Sequence, residues 1–127
     1  MSTVVTNPYD AKSELFSALQ SSVYLKSTVK GGFHNLIANN TTAYPRIVYT
    51  RLQNRDQDFA DNEAITAEVN FQVSVFCDAS TKSLLTNIEK EVNQVMKSIG
   101  YTRYDSIDLV EDDKTTFQNA SRYRKTF

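Results

Sequence analysis

Hydrophobic and polar residues alternate most regularly between Ile65 and Cys77. Ile65, Ala67, Val69, Phe71, Val73, Val75 and Cys77 occupy one side of the pattern, with Thr66, Glu68, Asn70, Gln72 and Ser74 on the other, until Phe76 interrupts it. A period of two predicts a strand over 64–77, buried on its odd face and wet on its even face, as in antiparallel sheets. At about 3.3 Å per residue it spans about 40 Å, which is long for a small domain. The period then changes. Leu84, Leu85, Ile88, Val92, Val95, Met96 and Ile99 recur at helical spacing and predict a helix over 81–99, capped by Ser80 or Thr81. Lys97 suits its last turn and Gly100 the left-handed position after it.

Elsewhere the pattern is weaker. Asn7 is a good N-cap, Pro8 suits a first helical position, and Leu15, Phe16 and Leu19 share a face, so a first helix ends near Gln20-Ser21-Ser22. Val23, Leu25 and Val29 read as a short strand, Gly31-Gly32 as a turn, and Asn39-Asn40-Thr41-Thr42 as a loop. Arg46-Ile47-Val48-Tyr49-Thr50-Arg51-Leu52 reads as a strand. Residues 53–63 are polar and acidic and read as a loop. Segments 101–110 and 115–126 read as a hairpin around Glu111-Asp112-Asp113-Lys114.

This order predicts an α+β fold, an antiparallel or mixed sheet of about four strands with two helices packed on one face. Helix 81–99 should cover the odd face of strand 64–77. Its seven apolar side chains would contribute about 10–20 kcal/mol gross, at about 1.5–3 kcal/mol each. The other sheet face, with Glu68, Gln72, Arg122 and Arg124 among its members, is left for water or a partner.

The 127 residues form one expected domain, 1–127, large enough for a core without staples. Leu, Ile, Val and Phe make up about a quarter of the chain and the net charge is −1, which excludes general disorder. No apolar run exceeds three residues, so no helical membrane span is expected. Met1-Ser2-Thr3-Val4-Val5-Thr6 lacks a basic, apolar leader, so an intracellular protein is expected. Near-neutral charge also gives no overall attraction to nucleic acid or an anionic membrane.

Candidate chemistry is sparse. Asp56, Asp58 and Asp61 hint at a calcium loop, but Asp61 stands where the loop needs Gly, and Ala67 where it needs a bidentate Glu. Asp105, Asp108, Glu111, Asp112 and Asp113 read as a charged hairpin end. Cys77 continues a buried face and His34 stands alone, so neither a disulfide nor a locally spaced metal site is expected. No nucleophile elbow or glycine-rich phosphate loop is present, and no metalloprotease motif. The expectation is no catalytic residue, no metal, no cofactor and no enzyme.

Charge separation is the informative feature. Asp56, Asp58, Asp61 and Glu63 form one acidic group and residues 105–113 another. Arg122, Arg124 and Lys125 form a basic C-terminal strand, with Arg46, Arg51 and Arg55 about the first clear strand. Unlike patches on one small body suit head-to-tail contacts, which close into rings when the rotation permits. Asp56, Asp58, Phe59, Asp61, Arg122 and Arg124 are the expected subunit-contact residues.

Tyr44-Pro45-Arg46-Ile47-Val48-Tyr49, the acidic segment Asp56-Gln57-Asp58-Phe59-Ala60-Asp61 and the strand Glu68–Phe76 resemble the tail completion family of long-tailed bacteriophages and prophages. So do Val92–Tyr101, the acidic turn and the closing Tyr123-Arg124-Lys125-Thr126-Phe127. The resemblance covers residues 44–127. It implies a non-enzymatic protein of the virion tail or neck, assembled in the host cytoplasm. Such a protein caps the head-proximal end of the tail tube, as a hexameric ring, and joins tail to head. Its implied partners are copies of itself, the tail tube protein and head–tail connector proteins, with no membrane and no sequence-specific nucleic acid. A small ferredoxin-like binding or regulatory module is the alternative, since helices alternating with strand pairs suit that plan too.

Overall fold

The computed structural model describes residues 7–38, 43–60, 63–112 and 114–127, with side chains of 57–60 and 63–65 excepted. Asn7 is the N-cap expected of it, its Oδ1 accepting the Tyr9 N–H at 2.9 Å over a 3-10 turn at Pro8–Asp10. The helix α1 (Ala11–Ser21) follows and buries Ala11, Leu15 and Leu19. Ser22 then does two things. It ends α1 and its Oγ accepts the Leu25 N–H at 3.3 Å, starting a second helix, α2 (Val23–Thr28). The strand expected at 23–29 is therefore a helix: a side-chain cap and burial of Leu25 outweigh the β-branched composition.

The sheet has five strands in the order β1-β2-β3-β5-β4: β1 (Phe33–Asn35), β2 (Arg46–Ala60), β3 (Glu63–Asp78), β4 (Thr102–Val110) and β5 (Thr116–Thr126). It is mixed, because β1 runs parallel to β2 at Phe33–Asn35 against Ile47–Tyr49, while the remaining pairs are antiparallel. Gly31 permits this edge: an added Cβ there would stand 2.5 Å from the Ala43 carbonyl oxygen, and its N–H donates to Pro45 O at 2.8 Å.

Residues 53–60 are strand, not loop. They pair with β3 from Gln53 opposite Asn70 to Ala60 opposite Glu63, after a bulge between Arg51 and Gln53. The neighbouring strand β5 stops short of the hairpin tip. Ala67 exchanges hydrogen bonds with Phe127 at 3.0 and 2.8 Å, so β3 residues 63–66 pair only with β2. The hairpin thus projects past the sheet as a two-stranded arm.

Between β3 and β4 lies α3 (Leu85–Ser98), preceded by a 3-10 turn at Lys82–Leu84. Neither Ser80 nor Thr81 caps it; Asp78 organises the turn instead. Its Oδ1 accepts from Thr81 N–H, Thr81 Oγ1 and Ser80 Oγ at 2.8–3.0 Å. These bonds, Thr81's hydroxyl first, hold the Asp78 carboxyl below the usual carboxylate range. Gly100 takes φ +95 after the helix, the left-handed value expected of it.

All three helices share one core with the sheet. Ile88, Val92, Met96 and Ile99 from the third helix meet Val69, Phe71, Val73, Val75 and Cys77, the odd face of β3. Leu84, Leu85 and Val95 are only half-buried, so four of the seven helical side chains, not all seven, make the full burial contribution. Among the described residues no helix is long and apolar enough to cross a membrane.

Topology bears on the ferredoxin-like alternative. β3, α3 and β4 form a split βαβ unit with β5 inserted between its strands, whereas that plan requires two such units. Among the described residues the N-terminal half supplies helices and a three-residue strand instead.

Candidate assembly surface

Alternation leaves the even face of β3 uncovered by helices. Glu68, Asn70, Gln72, Ser74 and Phe76 stand on it, beside Thr126, Arg124, Arg122, Ala120 and Gln118 of β5. The outer strands extend it with Thr50, Gln53 and Arg55 on β2, and with Asp105, Ile107 and Leu109 on β4. Two zones result. Near the Glu111 turn the face is apolar, with Val48, Phe76, Ile107 and Leu109; toward the arm it is charged.

Arg122 and Arg124 are both exposed on this charged zone. Arg122 Nε donates to Gln72 Oε1 at 3.3 Å and faces Asp105 across the strands. The Arg124 guanidinium lies 5.6 Å from the Tyr104 ring centroid. Both keep donors free for another molecule, since an Arg carries five N–H groups. Lys125 departs from the basic strand the sequence suggested. It alternates to the helix side, where its Nζ donates to Glu14 Oε1 at 3.1 Å and Ile99 O at 2.7 Å. The rings of Phe127 and Tyr101 lie 4.6 and 5.5 Å from that ammonium. It is an internal tie, not a contact residue.

Asp56 is exposed at the root of the arm, opposite Ala67. Asp58 and Phe59 lie within β2, and Phe59 pairs with Ala64. Their side chains, and all of Asp61, fall outside the described residues. On β4, Asp105 and Asp108 take opposite faces. Asp108 Oδ1 accepts from Asn119 Nδ2 at 2.8 Å, next to a chain in which Ser106 Oγ and Arg103 both donate to Glu89. Sequence reasoning passed over Tyr104, Ile107 and Leu109, which are 43–52% exposed; the i, i+2 spacing of the last two was the available signal.

Among the described residues no reactive constellation emerges. Burial pushes the Cys77 thiol up, so it stays protonated at neutral pH. His34 Nε2 sits 2.7 Å from Gly31 O, a local turn contact. Among the described residues no three His, Cys, Asp or Glu gather as metal ligands. An opening of about 430 Å³ lies between Tyr44, Arg46, Phe76, Glu111, Asp112 and Thr116. Arg46 fills its aromatic side, 4.3 Å from the Tyr44 centroid and 5.8 Å from that of Phe76.

No protein-family model matches the sequence, and no curated protein matches it. Solved structures share its fold. One is a chain in the virion of a native gene transfer agent particle, with TM-score 0.67, 12% identity, and coverage of 87% of this chain and 88% of that one. Another is the gp17 protein of bacteriophage SPP1, with TM-score 0.54, 13% identity, and coverage of 94% and 90%. The fold is thus shared with a chain of that particle and with a bacteriophage protein, as the resemblance implies for the fold.

Proposed function

We propose that this chain is a structural protein of a phage or phage-like virion. It caps the head-proximal end of the tail tube as a ring, expected to be hexameric, and joins tail to head. The observation that carries this reading is the fold shared nearly end to end with a chain of an assembled gene transfer agent particle. The surface supports it as well, because exposed Arg122 and Arg124 on the open sheet face and exposed Asp56 on the other face suit contact between copies rather than catalysis. The tail tube protein and the head–tail connector proteins are its partners, and its place is the virion neck after assembly in the host cytoplasm. Its task is mechanical, with no reaction step.

Electron microscopy of the purified protein mixed with polymerising tail tubes tests this. The expected result is rings seated on one end of each tube and arrest of growth at that end. Tubes that keep lengthening with bare ends would overturn the proposal.

A further inference from the structure

Among the described residues the sheet has two unpaired edges on opposite sides. On one, β1 covers the outer side of β2 only at Ile47–Tyr49, and among the described residues no strand pairs with that side from Thr50 onward. On the other, β4 presents its outer side, and all nine of its residues are exposed. Edges of this length carry rows of free N–H and C=O groups and are templates for further pairing.

We infer that β4 of one copy adds to the free stretch of β2 in the next, continuing the sheet from copy to copy. This deepens the ring reading and rests on it. Direction agrees: β2 runs parallel to β5 and antiparallel to β4, so copies placed side by side with the same face outward bring β4 antiparallel to the partner's β2. With the bulges counted, side-chain faces allow registers two residues apart, and charge selects one of them. β4 carries an extra residue at Tyr104 and β2 one at Leu52, since their pairings slip between Arg103 and Asp105 and between Arg51 and Gln53. Setting Asp105 against the partner's Arg55 puts Ser106 beside the partner's Asn54 and Ile107 beside the partner's Gln53. Past the β2 bulge, Asp108 meets the partner's Arg51 and Leu109 the partner's Thr50. Past the β4 bulge, Arg103 meets the partner's Asp56.

Three features converge on this register. Every pair joins side chains on the same sheet face. Asp105 with Arg55, Asp108 with Arg51 and Arg103 with Asp56 are each opposite in charge, and like charges nowhere face each other. The lengths fit too, because β4 ends at Val110 where the partner's β1 begins to cover β2 at Tyr49. Leu36 and Ile37, 60% and 74% exposed just after β1, stand where Leu109 and Val110 arrive. The same placement carries the arm backbone beyond Arg103, toward the end of the sheet that holds Arg124.

Charge exchange tests the register. Asp105→Arg with Asp108→Arg should abolish rings, and so should Arg51→Asp with Arg55→Asp. An equimolar mixture of the two variants, or all four changes in one chain, should restore them. Because Asp108 also bonds Asn119, thermal melts accompany each variant, and a second pair avoids the charges. Gln53→Cys with Ile107→Cys should give a ladder of disulfide-linked oligomers on oxidation of assembled protein. Rings that survive both charge reversals, variants that fail to rescue each other, or the absence of a ladder from intact rings would overturn the edge contact alone. Native protein that never assembles on tubes would overturn the ring reading together with it.

Discussion

Lys125 shows how one residue can leave the surface that its neighbours occupy. Arg122 and Arg124 flank Tyr123 on the wet face, while Tyr123 and Lys125 alternate inward. The buried ammonium joins the last strand to α1 through Glu14 and to the end of α3 through the Ile99 carbonyl. Breaking such a pair leaves one charge without its counterpart, so Lys125→Met should cost about 3–5 kcal/mol in urea unfolding. Adding Glu14→Leu should recover most of that loss, because two apolar side chains restore a consistent interior. Tyr123 makes a different residue-scale prediction. Burial raises its hydroxyl to about 12, despite the opposing pull of Arg103. The unfolded chain ionises near 10. The stabilisation is therefore complete below pH 10 and disappears as pH rises through about 12. Unfolding midpoints measured over that window should fall more gently in Tyr123→Phe than in the native protein, with Tyr101, also raised by burial, accounting for what remains.

At the scale of elements, the arm is where local physics is least self-sufficient. Among the described residues no third strand accompanies the hairpin past Ala67, and an isolated two-stranded ribbon is marginal in water. Amide exchange at Asp56–Ala60 and at Thr66 should be fast in the free protein and slow in the assembled one; equal, slow exchange in both would remove the arm from any role in contact. The same feature explains why the arm reads as a loop in sequence. A period-two signal needs one buried face, which β3 has from Val69 to Cys77 and residues 53–56 of β2 lack. The third helix and the C-terminal hairpin were legible because both carry their own signals, Gly100 and the acidic turn included. The second helix was not, because tertiary burial of Leu25 and the bond from Ser22 Oγ to Glu91 at 2.7 Å, which holds the capping serine, outweigh its β-branched composition. Of the candidate contact residues, Arg122 and Arg124 could be placed by alternation. Their neighbour Tyr104 could not, because a bulge moves it out of step.

For the whole molecule, the distribution of work between folding and assembly is the question that charge reversal answers. The two arginines on the open face contribute little to their own copy. One makes a 3.3 Å bond to Gln72 and the other rests against an exposed tyrosine. Interactions of that exposure contribute at most about 1 kcal/mol, well within what a domain of this size tolerates. Arg122→Glu with Arg124→Glu should therefore leave the melting temperature nearly unchanged while removing rings from micrographs and leaving tube ends bare. The acids that would receive them belong to a neighbour rather than to the same chain, so the loss should appear only in assembly. A melting temperature that falls in step with ring loss would instead assign both arginines to the monomer. Asp105, which Arg122 faces across the strands, would then be the intramolecular partner to exchange first.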